Sequence, residues 1–303
     1  MSNKRKGIIL AGGSGTRLAP LTNAISKQLM PVYDKPMIYY PISTLMISGI
    51  REINIIVTSE SKNSFINLLG DGSQWGIKIS YTIQNEPNGI AQGIVLSENF
   101  LDNSPAALIL GDNLFHGSSL LRHLKSGNSS SVGATIFAYR VKDPERYGVI
   151  EFNSKGKVTD IEEKPKYPKT NYAATGLYFY DKSVVQKAKK VKLSINGEYE
   201  ITTLNKFYLE EKNLNVEIMG RGMAWLDTGT HESLHKASSF IRTIEDRQGL
   251  KVSCPEEIAW RNQWISDDQL EELAKPLIKS GYGIYLNEIL QNSSFENFDS
   301  VVN

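Results

Sequence analysis

Over the first third of the chain, short apolar runs alternate with helix-period patterns, and that alternation constrains the fold more than any other feature. Residues 7–10, 53–57 and 107–110 read as buried strands, and Ile77, Ile79, Tyr81 and Ile83 alternate as in a half-buried one. Between them, 36–48, 61–69 and 91–100 read as helices. Pro36 suits the first turn of the first helix, Gly49 suits its end, and Pro41 is expected to kink it. Strand and helix in alternation imply crossover units, hence an α/β fold with a Rossmann-like, mostly parallel central sheet covered by helices on both faces.

From Gly133 the pattern turns β-rich. A hairpin is expected around the turn 153–156, and a strand over 172–180. After Thr230 the chain becomes helical through Arg247, and Ser266 with Gln269 resembles a capping box for a helix ending near Lys279. The expected organisation is an α/β unit over 1–240, with an alternating strand–helix half to about 130 and a β-rich portion over 131–230. A C-terminal helical segment follows over 241–290, and residues 291–303, which lose apolar periodicity, are expected to form a mobile tail.

Composition narrows the function. A net charge of +1 over 303 residues supplies no broad basic field for nucleic acid. No apolar run reaches membrane-spanning length, the basic start lacks a signal-peptide core, and the single cysteine, Cys254, allows no internal disulfide. A cytoplasmic protein is expected.

The sharpest segment is Gly7-Ile-Ile-Leu-Ala-Gly-Gly-Ser-Gly-Thr-Arg17. A buried strand delivers the chain into Gly12, Gly13 and Gly15, which permit close backbone approach, so that successive amides can cradle phosphate. Arg17 adds a planar cationic fork, and Lys27 follows. The ligand-free alternative is an ordinary strand-to-helix turn. The spacing is not a Walker A loop, and Leu18 occupies the third glycine position of a dinucleotide fingerprint. Asp112 closes an apolar run, placing it at a carboxyl end of the sheet, and Asp227 precedes Thr228-Gly229; alone, each reads equally as a turn aspartate.

Gly12-Gly-Ser-Gly-Thr-Arg17 followed by Ser26-Lys-Gln-Leu-Met-Pro31 is similar to the signature of the nucleoside-diphosphate-sugar pyrophosphorylases. Pro31-Val-Tyr-Asp-Lys-Pro-Met-Ile-Tyr-Tyr-Pro-Ile-Ser-Thr-Leu-Met46 resembles the thymidylyltransferase branch. Agreement continues through Leu110-Gly-Asp-Asn113, Asp143-Pro-Glu-Arg-Tyr-Gly-Val149, Glu162-Glu-Lys-Pro165, Trp225-Leu-Asp-Thr-Gly229 and Pro255-Glu-Glu-Ile258. The resemblance implies transfer of a thymidylyl group from dTTP to glucose 1-phosphate with release of pyrophosphate, feeding dTDP-rhamnose or other deoxysugar synthesis, with Mg2+ as cofactor and a homotetramer as the assembly. It implies that Arg17, Lys27 and Lys164 are catalytic and that Asp112 and Asp227 hold the metal. Leu10, Gly12, Gly13, Gly15, Thr16, Gln84, Pro87 and Gly89 would join Arg17 and Asp112 at the nucleotide. Asn113, Tyr147, Gly148, Glu163, Ala174, Thr175 and Trp225 would join Lys164 at the sugar phosphate. A second, regulatory nucleotide site would use Leu45, Phe115, Gly117, Arg221, Glu257, Ile258 and Arg261.

Two departures bear on affinity: Asn196 stands where relatives carry an arginine contacting the sugar phosphate, and Ala174 where valine is common. Three other readings are a UTP-using or other sugar-1-phosphate nucleotidyltransferase, a non-catalytic nucleotide-sugar sensor, and a zinc peptidase. The last rests on His231-Glu-Ser-Leu-His235, which matches His-Glu-x-x-His, with Glu256 as a third ligand. That motif reads as a surface helix, and His116, His123 and Cys254 read as packing residues.

Overall fold

The computed structural model describes residues 4–291. Strand β1 (Lys6–Leu10) buries Ile8 and Ile9 completely on opposite faces, as a central parallel strand must. The chain leaves it through short 3-10 turns and a small ribbon, β2 (Pro31–Val32) and β3 (Lys35–Pro36), and enters helix α1 (Tyr39–Ile47). Next come β4 (Glu52–Val57), α2 (Lys62–Leu69), β5 (Lys78–Ile83), α3 (Ile90–Leu96), α4 (Glu98–Leu101) and β6 (Ala106–Leu110). The four long strands are parallel, in the order β5-β4-β1-β6. The chain therefore builds outward from β1 to β5 and then recrosses to the far side of β1. This reversal opens a crevice beyond the carboxyl ends of β1 and β6, where α/β sheets bind their ligands.

Strand β7 (Asn113–His116) peels away from the sheet, and α5 (Leu120–Ser129) leads into β8 (Ala134–Arg140). Then follow β9 (Gly148–Phe152) and β10 (Val158–Glu163), the expected hairpin, and β11 (Tyr172–Tyr180), which matches its expected span. Strand β11 runs antiparallel to β6 and β8, and its register with β8 breaks between Ala174 and Tyr178. Its first half reaches β9 through Ala173, while its second half lies between β6 and β8. One irregular strand thus grafts the β9–β10 hairpin onto the nucleotide sheet. Helices α6 (Val184–Ala188) and α7 (Ile201–Glu210) precede β12 (Leu214–Met219), parallel to β8. Strand β13 (Ala224–Asp227) returns to pair with β7, setting Asp227 opposite Asn113.

Thr230 caps α8 (His231–Gln248), which runs unbroken through residue 240. Helices α9 (Pro255–Arg261), α10 (Asp267–Ala274) and α11 (Gly281–Gln291) complete the chain. Ser266 and Gln269 form the expected capping box, but α10 ends at Ala274, five residues before Lys279, and passes into a 3-10 turn containing Pro276. Ile258, Leu270, Tyr285 and Leu286 belong to the same apolar cluster as Leu45, Ile53 and Ile109, so these helices seal one face of the sheet.

Two expected helices are corrected here. Pro36 lies in β3, not in a helix, because residues 31–36 fold back on themselves as a ribbon. Pro41 then falls in the first turn of α1, where its missing N–H costs nothing, and it cannot break the helix interior. The helix expected over 91–100 is broken at Ser97, whose hydroxyl donates to Gly93 O (2.9 Å) and accepts from Asn54 Nδ2 (3.0 Å). The tail expected over 291–303 lies, Gln291 apart, outside the described residues.

Candidate active site

The glycine turn leaves β1 at the mouth of the crevice. Gly15 has φ +60°, and a Cβ there would stand 2.7 Å from Thr22 Cγ2 and 3.3 Å from Lys27 Cβ. A Cβ on Gly12 would lie 2.9 Å from Gln84 Oε1, so the turn is pressed against the end of β5. Gln84 is buried, and its Nε2 donates to Gln92 Oε1 (2.6 Å), which fixes the amide beside Gly12. Gly89, at φ +106°, is packed so tightly on the backbone of Tyr199 that a Cβ would meet Tyr199 N and O at 2.6 Å. Tyr199 N donates to Asn88 O (2.7 Å), linking this loop to the segment before α7. Gly13, Thr16 and Arg17 are exposed at the rim, as is Pro87.

Asp112 follows β6 and Asp227 ends β13; the pairing of β7 with β13 brings them face to face. Buried Lys27 forms an ion pair with Asp112 Oδ2. Asn113 Nδ2 donates to the other oxygen of Asp112 (2.8 Å), while its own Oδ1 accepts from Trp225 Nε1 (2.6 Å) and Gly176 N (3.1 Å). Asn113 is buried, holds Asp112 through its Nδ2 and is itself held through its Oδ1. Thr228 Oγ1 donates to Asp112 O (2.9 Å), locking the two carboxylate-bearing turns together. Burial raises the pKa of Asp227, and the charge of Asp112 raises it further, against the pull of Lys27, Arg17 and Arg146. A Cβ on Gly229 would be 2.9 Å from Arg17 Nη2 and 3.2 Å from Asp227 Oδ1, so Arg17 reaches over Gly229 on the side of Asp227.

The β9–β10 hairpin forms the adjoining wall. Glu163, at the end of β10, accepts a short hydrogen bond from Thr202 at the start of α7. A Cβ on Gly148 would stand 3.1 Å from Thr202 Oγ1 and 3.4 Å from Glu163 Oε2, so only glycine leaves that floor open. Lys164 is exposed, has φ +43°, and lies 3.6 Å from Glu163. Tyr147 packs on Trp225 with ring centroids 5.1 Å apart, and burial beside Asp227 pushes its phenol up to about 12. The hydroxyl of buried Thr175 has no hydrogen-bond partner among the described residues. A strand-end glycine turn, two opposed carboxylates, cations and a polar wall thus converge on one crevice.

Residues 6–244 match the family model described as nucleotidyl transferase. The chain belongs to that family. Within this nucleotidyl transferase family, it is 56% identical to a glucose-1-phosphate thymidylyltransferase of Neisseria meningitidis, over 94% of this chain and 99% of the relative. It is 55% identical to the glucose-1-phosphate thymidylyltransferase of Mycobacterium tuberculosis, over 95% of this chain and 100% of the relative. A Bacillus anthracis crystal structure provisionally assigned as a glucose-1-phosphate thymidylyltransferase, in complex with sucrose, superposes with a TM-score of 0.73 at 40% identity. It covers 78% of this chain and 95% of that one. A UDP-glucose pyrophosphorylase complexed with UDP-glucose shares the fold, with a TM-score of 0.70 at 23% identity, over 80% of this chain and 99% of that one.

The other sequence candidates lie elsewhere on this nucleotidyl transferase. Leu45, Phe115 and Ile258 are core side chains where α1 meets β7 and α9. Gly117 is wedged against Gly222 and Met223, Arg221 is exposed beside them, and Glu257 pairs with Arg261 at 2.8 Å. His231, Glu232 and His235 lie on the exposed face of α8, where Glu232 pairs with Lys236. Glu256, the third ligand that a zinc reading would need, is buried and accepts from Trp75 Nε1 (3.2 Å) and Tyr282 Oη (2.6 Å). The sequence assigned no role to Gln92 or Thr202, nor to Arg146 and Thr228, although these last two lie within the motifs that carry the resemblance. Each acts through a partner distant in the chain or in the next turn, and no local pattern marks such a role.

Proposed function

We propose that the chain joins dTTP to α-D-glucose 1-phosphate, giving dTDP-glucose and pyrophosphate. A phosphate oxygen of the sugar 1-phosphate attacks the α-phosphorus of dTTP. The new P–O bond forms as the bond to the β-phosphoryl oxygen breaks, and the electron pair leaves on pyrophosphate. The attacker is already an anion, so no side-chain nucleophile or general base is required. The burden on the protein is alignment and charge screening.

In this reading the amides of residues 12–17 and the guanidinium of Arg17 bind the triphosphate and the departing pyrophosphate. Lys27 screens the reacting phosphates, and Lys164 holds the sugar phosphate. Gln84 and Gly89 receive the thymine, while Glu163, Gly148, Tyr147 and the strand carrying Ala174 and Thr175 receive the glucose. The nucleotide is carried by residues up to about 130 and the sugar by 131–230. Asp112 and Asp227 would hold Mg2+. Two opposed carboxylates, with no cluster of three metal-binding side chains among the described residues, fit a hard cation that completes its shell with phosphate oxygens and water. When bound, such an ion neutralises charge on the phosphates. A cytoplasmic homo-oligomer, a tetramer by resemblance, completes the reading. Among the described residues no helix is long and apolar enough to cross a membrane.

The observation that carries the proposal is the convergence of the glycine turn, the Lys27–Asp112 pair and Asp227 at the crevice between β1 and β6. Pyrophosphate release across dTTP, UTP, CTP, ATP and GTP with several sugar 1-phosphates tests it. Turnover is expected to be fastest with dTTP and glucose 1-phosphate, and lost in Asp112→Ala and Asp227→Ala. Preference for another pair, or normal turnover in both variants, would overturn it.

A further inference from the structure

Asp227 has a neighbour whose role the reaction above does not specify. Arg146 ends the short 3-10 turn Pro144–Arg146 that leads into β9. Its Nη1 donates to Asp143 Oδ2 at 2.7 Å, which anchors the guanidinium, and its Nη2 reaches 3.8 Å from Asp227 Oδ2. The second contact is long and single, whereas a committed arginine–carboxylate pair is short and often two-pronged. The side chain is 42% exposed, so it can swing without disturbing a core. Around the two carboxylates the protein arrays Lys27, buried and paired to Asp112, and Arg17, exposed above Gly229. Arg146 is the cation paired at longer range with Asp227.

We propose that Arg146 is an exchangeable counter-ion for Asp227: in the nucleotide-free protein it partly screens the carboxylate that a divalent cation later takes, and so sets the protein's affinity for that cation. The proposal rests on the assignment of Asp227 as a metal ligand. Arg146 is a positioning residue here, acting through a carboxylate. A fixed positive charge about 4 Å from a ligand oxygen competes with an incoming cation, by an amount that solvent and salt reduce. Removing that charge strengthens cation binding, whereas a merely structural arginine would weaken binding or leave it unchanged on removal.

The test is a Mn2+ titration of the full-length, nucleotide-free protein, followed by the loss of the free-ion electron paramagnetic resonance signal. Arg146→Ala and Arg146→Gln are expected to bind Mn2+ roughly threefold to tenfold more tightly than the unsubstituted protein at low salt, with the gain shrinking as salt rises. Arg146→Lys, which keeps the charge, should restore most of the original affinity. Asp227→Asn serves as the control. If it leaves Mn2+ binding intact, the metal assignment fails. If it abolishes binding while Arg146→Ala and Arg146→Gln bind Mn2+ no more tightly than the unsubstituted protein, the counter-ion proposal fails and the metal assignment stands. Identical curves in all forms, including no detectable binding in any, overturn the counter-ion proposal as well.

Discussion

Burial first, and then the charge of Asp112 facing it across the crevice, push Asp227 toward its protonated form. Its pKa is raised on folding, so the folded chain holds that proton more tightly than the unfolded one. Stability from this group is therefore fully present below the ordinary aspartate pKa and lost as pH rises through the raised value. At neutral pH the ionised side chain is a cost, which Asp227→Asn removes. We expect this variant, in chelator, to melt no lower than the unsubstituted protein at neutral pH and up to about 3 °C higher. The difference should vanish below about pH 4, while pyrophosphate release falls by about 100-fold or more. A lower melting temperature at neutral pH would refute the account. Gly229 supports a second prediction. A new Cβ would crowd the far end of Arg17 at 2.9 Å, which can move, and would press less closely, at 3.2 Å, on Asp227 Oδ1, so Gly229→Ala should fold normally and lose chiefly Arg17's placement. The expected result is a KM for dTTP raised about tenfold with a thermal shift under about 2 °C, read by steady-state kinetics and melting. Unchanged kinetics would mean that Arg17 is not used where it lies. At this scale the positions of the glycine turn and both aspartates were legible because each sits beside an apolar run that locates it, whereas a metal role for the aspartates and a phosphate role for Lys27 came only from the family resemblance. The anchoring of Asn113 was not legible, since Trp225 and Gly176 approach it across more than sixty residues of chain.

Elements are held in place by a few polar joints, and Asp181 is one of them. It follows β11, and its carboxylate accepts from Gly133 N (2.7 Å), Ser183 N (2.9 Å), Ser183 Oγ (2.5 Å) and Tyr208 Oη (3.0 Å). It thereby joins the entry to β8, the start of α6 and the side of α7. Burial raises its pKa, but those hydrogen bonds outweigh burial and the net shift is downward. A depressed value means that stability is present above the unfolded pKa and is lost as pH falls through the folded one. Asp181→Ala is therefore expected to cost about 2 kcal/mol at neutral pH, and the gap to the unsubstituted protein should narrow as pH falls below about 4 in urea titrations. A gap that persists at acid pH would point to packing instead. Elements with a local signature were readable from sequence: β1 and β11 from their apolar runs, α8 and α10 from their caps. The ribbon of β2 and β3 and the pairing of β7 with β13 were not. Two-residue strands carry no periodicity, and that pairing joins segments about a hundred residues apart. Pro36 illustrates the ambiguity: its fixed φ suits a helix start and a ribbon alike, and only the fold-back of 31–36 decides.

Across the whole molecule, the question is whether the C-terminal helices are an attachment or part of the fold. The apolar cluster beneath the sheet draws on β1, β4 and β6 and equally on α9, α10 and α11, so neither side can bury its surface alone. A polar joint crosses the same boundary: Glu256 of α9 accepts from Trp75, in the turn before β5. Within the C-terminal helices Glu256 also accepts from Tyr282 of α11, and Tyr285 Oη donates to Glu257 at 2.5 Å. Replacing Glu256 with alanine strands Trp75 Nε1 and leaves Tyr282 Oη only the weaker acceptor Cys254 Sγ (3.1 Å), a loss of about 2–4 kcal/mol. Were the helices an independent unit, the loss would appear as an early, separate transition, with the sheet melting unchanged. Because the core is shared, the expected outcome for Glu256→Ala is one calorimetric transition, displaced downward as a whole by about 3–6 °C. Nucleotide-binding capacity should disappear along the same curve, because the crevice between β1 and β6 is backed by the cluster these helices close. Two resolved transitions, with nucleotide binding surviving the first, would show that the sheet folds without them.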